Sequence, residues 1–174
     1  MKTFRTLFTV SLLILFCAAA ALAQTVQTDY DHNFNLANLR TYRFHQQTRG
    51  PRDPLAANPI NDRRIHDALN TQLQSNGFSE SEKPDFWIAY FVTTRAGLDI
   101  QDNRFGPWLR RGSISVERVT EGTLVVIFVD SATKQEVWRG YATGTIKPKD
   151  LDKYVKKAVT KLVEKFKKNQ AGKN

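Results

Sequence analysis

Residues 121–142, EGTLVVIFVDSATKQEVWRGYA, constrain the fold more than any other stretch of the chain. Thr123 to Val129 is an unbroken run of β-branched, aliphatic and aromatic residues. Side chains alternate across a strand, so Leu124, Val126 and Phe128 share one face and Val125, Ile127 and Val129 the other. Both faces are apolar, which suits a central strand covered on both sides. Asp130 to Gln135 is polar, and Asp and Ser side chains can accept from main-chain N–H groups just ahead of them, which predicts a turn. The alternation resumes at Val137, with Trp138, Gly140, Ala142 and Gly144 on one side. A large ring followed by three small residues leaves room for a helix to cross that face closely. The reading is a hairpin with Trp138 buried against a second helix, near Val155 or Leu162.

The rest of the chain supplies the elements around this hairpin. Val26–Tyr30 and Thr41–His45 alternate and read as short strands. Gly50, Pro51, Pro54 and Pro59 mark Arg49–Pro59 as a loop. Asn61 is placed as the N-cap of a first helix, with Ile60 able to staple against Ile65. Ile65, Ala68, Leu69 and Leu73 form its apolar stripe. Gly77 is placed as the left-handed residue after the helix, with Phe78 folding back on Leu73. Phe86–Val92 and Ile114–Val119 read as two further strands. Pro148 closes the hairpin, and a second helix follows, with Asp150 and Asp152 near its positive end. Leu151, Val155, Ala158, Val159, Leu162 and Phe166 give this helix one broad apolar face. The opposite face carries seven lysines, among them Lys156, Lys157, Lys161 and Lys165. The tail Asn169–Asn174 is expected to fray. The predicted fold is a single α+β domain. A mainly antiparallel sheet of five or six strands carries two helices on one face, in the order ββαββββα.

The first 23 residues read as an address. Lys2 and Arg5 form a positive start, Leu7 to Leu15 is mostly apolar, and Ala21-Leu22-Ala23 has the small-x-small pattern of a signal peptidase site. Cleavage is expected after Ala23, which would leave a domain over residues 24–168 and the short tail. A retained anchor is the alternative. Lipidation at Cys17 is a third reading, though Phe16 is large where a lipidation site has a small residue. Cys17 is the single cysteine, so the mature chain can form neither a disulfide nor a thiol metal site. This usage fits a bacterial periplasm, or an outer-membrane association in a Gram-negative cell. Loss of Lys2 and Arg5 lowers the formal charge from +9 to +7. Basic chains often meet nucleic acid, but export redirects the expectation to anionic lipid, lipopolysaccharide or cell-wall polymers. The mature form is expected to have no transmembrane span.

Several residue patterns resemble the family called domain of unknown function 4136, exported bacterial proteins that are often lipoproteins. They include Asp29-Tyr30-Asp31, Phe34, Thr41-Tyr42, Arg64-Ile65, Leu73, Gly77 and Pro84-Asp85. The strongest are Glu121-Gly122-Thr123-Leu124, Asp130 and Val137-Trp138-Arg139-Gly140, with Trp108 in the glycine-containing loop. The chain departs from the family at Phe44, where Trp is frequent, and at the context of Cys17. The resemblance implies the fold and an envelope address. It carries over no catalytic residue and no cofactor.

The chain lacks Gly-x-Ser-x-Gly, phosphate-binding and dinucleotide-binding glycine motifs, and His-Glu-x-x-His. His32, His45 and His66 are scattered, and no metal site is assigned. His66 reads as a surface or packing residue. Asp29 and Asp31 share a strand face and could act in acid–base chemistry or hold a cation, but such residues more often form turns. The expected role is a non-catalytic envelope domain that binds a partner or a surface. A small periplasmic hydrolase with an unrecognised site is the alternative. Two candidate surfaces follow. Arg95–Ser113 is long for a strand connection and interleaves Phe105 and Trp108 with Arg104, Arg110 and Arg111, a mix favoured in partner binding. The lysine face of the second helix, at Lys156, Lys157, Lys161 and Lys165, is the candidate contact with anionic surfaces.

Overall fold

The computed structural model describes residues 24–46, 57–102, 114–146 and 148–172. They form one α+β domain. In chain order the elements are β1 (Thr25–Tyr30), β2 (Thr41–Phe44), α1 (Pro59–Ser75), β3 (Ser79–Glu80), β4 (Phe86–Asp102), β5 (Ile114–Asp130), β6 (Glu136–Ile146) and α2 (Leu151–Gln170). The sheet runs β1-β6-β5-β4-β2-β3. The pairs β1/β6, β6/β5 and β5/β4 are antiparallel, and β2 lies parallel to both β4 and β3. The sheet is therefore mixed, with its long members antiparallel. The parallel side follows from connectivity: a parallel neighbour needs a crossover, and α1 lies between β2 and β3.

The order ββαββββα is as expected from the sequence, but its four late strands are assigned differently. Ile114–Val119 and Thr123–Val129 form one continuous strand, β5, and the additional strand is the two-residue β3. Gly122 lies inside the ladder, paired with Thr94 and Gly144. The side chain of Ile146 occupies the space beside it, so a Cβ there would sit 2.7 Å from Ile146 Cδ1. A glycine in a strand marks such a close approach as readily as it marks a break.

The hairpin between β5 and β6 turns where the polar run predicts. Asp130 Oδ2 accepts from the main-chain N–H of Thr133 at 2.7 Å and from its hydroxyl at 2.8 Å. Helix α1 starts earlier than expected. Its N-cap is Asn58, whose side chain accepts from the N–H of Asn61, and Pro59 opens the helix. Proline has no N–H to leave unsatisfied at a first helical position, so it begins this helix where the sequence reading had it end a loop. Ile60 is 62% exposed and staples nothing. The other end is as read: Gly77 has φ +88°, and Phe78 N–H donates to Leu73 O at 3.1 Å.

One apolar cluster fills the space between helices and sheet. It takes Ile65, Leu69 and Leu73 from α1 and Val159, Leu162 and Phe166 from α2. The sheet contributes Tyr42, Phe86, Ile88, Val126, Phe128 and Trp138. Trp138 is 1% exposed, stacks on Phe128 with ring centroids 4.8 Å apart and meets Phe166 at 5.4 Å. Its neighbours on α2 are thus Phe166 and, beside Gly140, Leu162. The expected fraying from Asn169 gives way to helix through Gln170. Asn169 Oδ1 accepts from the indole N–H of Trp138 at 3.1 Å, and Gln170 Nε2 donates to the carbonyls of Leu36 and Leu39. On the opposite face of the sheet Val125 is buried, Ile127 and Trp87 are half-buried and Phe91 is 37% exposed. Both described helices pack on the first face, so the two-sided cover suggested by the apolar run of β5 comes from helices on one side only.

Candidate functional site

Two carboxylates singled out by the sequence serve local structure. Asp29 Oδ1 accepts from the N–H of Tyr30 at 2.9 Å, and Asp31 Oδ1 accepts from the N–H of Asn33 at 2.8 Å. No group of three His, Cys, Asp or Glu side chains is placed to hold a metal among the described residues. His66 packs its ring 4.1 Å from that of Phe44, as a packing histidine does. The loop read over Arg95–Ser113 is shorter than expected, since Arg95 to Asp102 continue β4 and pair with β5, and Arg104, Phe105, Trp108, Arg110 and Arg111 lie outside the described residues.

The basic face of α2 is described in full. Its apolar stripe is consumed by the core, with Val155, Ala158, Val159, Leu162, Val163 and Phe166 all buried. At 100° per residue the lysines occupy the other half of the helix. Lys153, Lys156, Lys157, Lys165, Lys167 and Lys168 are exposed. The four lysines picked from sequence are not equivalent. Lys156 Nζ lies 2.8 Å from Asp152 Oδ2 one turn earlier. That hydrogen bond, more than any other cause, holds the Asp152 carboxyl below its usual range. Such an exposed pair is weak and would open readily for another anion. Lys161 is half-buried, and its ammonium donates to the carbonyl of Gln24 at 3.3 Å, fastening the start of the domain to α2. Lys157 and Lys165 point to solvent without either tie.

Lys165 also borders a polar groove that residue spacing along the chain could not reveal. It runs between β1 and the last turns of α2 and encloses about 570 Å³. Lys165, Lys168 and Asn169 line it from the helix, and Thr28, Asp29 and His32 from the other side. The groove exists because β1 joins the sheet beside β6, next to the helix that closes the chain. Its two ammonium groups and hydrogen-bonding walls suit a phosphate or carboxylate, although Asp29 opposes them in part.

Comparison with known proteins places this geometry in a family context. No curated protein sequence matches the chain. Among solved structures, a PDZ domain protein from Parabacteroides distasonis is similar with a TM-score of 0.56 at 13% identity. The match covers 83% of this chain and 36% of that one, so the chain spans about a third of that protein's length. A PelC dodecamer from Paraburkholderia phytofirmans matches with a TM-score of 0.46 at 10% identity, over 83% of this chain and 97% of that one. At these identities the first likeness speaks to fold alone. A family profile matches residues 26–166, from β1 to the buried Phe166 of α2, and the chain therefore belongs to the domain of unknown function family DUF4136.

Proposed function

We propose that the protein is an exported bacterial cell-envelope component with a non-catalytic binding role, held against anionic surfaces by the lysine face of α2. The observation that carries this reading is the division of α2. Its apolar half is spent on the core, so the helix cannot insert into a bilayer, while its opposite half presents six exposed lysines. Contact of this kind is electrostatic and shallow, unlike that of an interfacial amphipathic helix. Each lysine near an anionic bilayer contributes about 1 kcal/mol, and screening acts over about 8 Å at physiological salt. The export signal read at residues 1–23 puts such a surface within reach, in the periplasm or at the outer membrane. The aromatic and arginine mix of Arg104 to Arg111 supports a second contact, with a protein partner of the envelope.

The test is sedimentation with vesicles of anionic and of neutral lipid. Binding should favour the anionic vesicles and fall as salt rises. Lys157→Gln with Lys165→Gln should weaken it about tenfold or more, since two contributions near 1 kcal/mol are removed. Lys161→Gln should weaken it less, because that ammonium is engaged with Gln24. Equal binding to both lipids, or indifference to salt, would overturn the reading.

A further inference from the structure

The sheet ends in two unlike edges. On one side β3 is only two residues long, and so short an edge offers little to pair with. On the other side β1 runs for six residues in unbroken register with β6. Its sequence, TVQTDY, holds no lysine or proline of the kind that usually blunts an edge. One bond fixes the main-chain phase of this strand: Asp31 N–H donates to Val137 O at 3.1 Å. Pairs along an antiparallel ladder alternate between exchanging both bonds and exchanging none, so Thr25, Gln27 and Asp29 turn their N–H and C=O groups to β6. Val26 and Thr28 turn theirs outward, where no further strand lies among the described residues.

This stretch of β1 lines the polar groove beside α2. Lys161, Lys165 and Lys168 follow one another at helical spacing and form a row along α2. Lys161 donates to the carbonyl of Gln24, which shares the outward phase of Val26 and Thr28, so the row stands within reach of the edge. Lys165 and Lys168 are exposed and flank the residues that follow. Val26 and Thr28 are half-buried, while Gln27 and Asp29 on the other side of the strand are exposed. Val26 packs against the core, so this half-buried side is the one that faces the helices. Asp29 is the one acidic side chain in the groove lining, and its Oδ1 accepts from Tyr30 N–H, the next outward donor along the edge.

The geometry points to the edge of β1 as a docking site for an extended protein segment with acidic side chains at alternate positions, added to the sheet beside β1. Its main chain bonds Val26 and Thr28, and its carboxylates, on the helix side, meet Lys165 and Lys168. Alternate strand residues lie about 6.7 Å apart and three helical residues rise about 4.5 Å, a difference that flexible lysine stems absorb. Neither half is selective alone, since a strand edge pairs with any sequence and exposed lysines attract any anion. Together they select an acidic strand, with affinity from the main chain and specificity from alternate side chains. The site shares Lys165 with the proposed surface contact but differs from it in requiring main-chain bonds.

The probe is the peptide acetyl-Thr-Glu-Val-Glu-Val-Glu-Thr-amide, used without lipid, so that its outcome is separate from that of the vesicle experiment. Amide resonances of Val26 and Thr28 in the full chain should move saturably as it is added. The peptide with Gln for each Glu should bind about five- to tenfold more weakly, the equivalent of two exposed ion pairs. Lys165→Gln with Lys168→Gln should cause the same loss for the Glu peptide and none for the Gln peptide. A strand turns alternate N–H groups to its neighbour, so N-methylating one alternate set of peptide amides should abolish binding and methylating the other should spare it. Thr28→Pro removes an outward N–H and leaves the β1/β6 ladder intact, so it should abolish binding with little change in melting temperature. If Thr28→Pro does not fold, the methylated peptides decide alone. No saturable movement, or equal tolerance of methylation at both sets, would overturn the site. A chain that sediments as a dimer and refuses the peptide would also overturn it, by placing a second copy on this edge.

Discussion

The indole of Trp138 is held from three directions: stacked on Phe128, edge-on to Phe166 and hydrogen-bonded through Nε1 to Asn169. Trp138→Ala should cost about 3–5 kcal/mol in a denaturant melt, the range for emptying a buried aromatic site. Asn169→Ala leaves the ring in place and strands its N–H, and should cost about 1–3 kcal/mol. Asp85 is a second residue whose role exceeds its size. Its Oδ2 accepts from the N–H groups of Arg40 and Thr41 at 2.9 and 2.8 Å, and so fixes where β2 meets β4. Burial pushes the carboxyl up, but the N–H groups of Thr41 and Arg40 outweigh it and hold it below its usual range. A folded pKa below the unfolded one contributes stability above the ordinary carboxylate range, and that contribution is lost as pH falls through the folded value. Asp85→Asn should therefore melt earlier than the parent at pH 7. The gap should begin to narrow below about pH 4 and close only beneath the lowered folded value, where the parent carboxyl is neutral in the folded state as well. A gap that stays constant down to the acid limit would show that charge is not what Asp85 supplies.

At the scale of elements, the close crossing of α2 over β6 depends on Gly140. A Cβ there would lie 2.4 Å from the Trp138 ring and 2.6 Å from Leu162 Cδ2. Gly140→Ala should destabilise the domain by about 1–3 kcal/mol through overpacking, as measured by thermal unfolding. The small residues that create this crossing were legible in the sequence, as was the hairpin turn at Asp130. So was the end of α1 at Gly77, and so was the division of α2 into apolar and lysine faces. These are local patterns, in which period and turn chemistry act within a few residues. What was not legible is long-range. The run of β5 through Gly122 depends on Ile146, from the next strand, which fills the space beside that glycine. The parallel placement of β2 rests on Asp85, more than forty residues away in the chain. The site divides the same way. The basic face could be read from spacing, whereas the tie of Lys161 to Gln24 could not.

For the molecule as a whole, the aromatic side chains join into one body rather than serving each layer separately. Phe166 of α2 meets Phe78 after α1, Phe86 of β4, Phe128 of β5 and Trp138 of β6, with ring centroids 4.7 to 6.1 Å apart. Removing α2 would uncover all four rings and leave the stripe of α1 with only part of its cover. The helix at the end of the chain is thus a structural partner of every long strand in the core, and it cannot detach at small cost. The domain is expected to unfold in a single cooperative step, with far-UV circular dichroism and tryptophan fluorescence tracing the same denaturant curve. Should α2 peel away first, the dichroism would fall before the main transition. The same connectivity predicts that Phe166→Leu and Trp138→Phe are not additive. Residues in contact within one packed cluster couple by about 0.5–3 kcal/mol, so the double variant should depart from the sum of the single ones by that amount. Pairing Phe166→Leu instead with Val125→Ala, on the opposite face of the sheet, should give additivity within about 0.5 kcal/mol. Coupling of equal size in both cycles would mean that the sheet transmits strain between its faces and that the cluster is not the unit that holds α2.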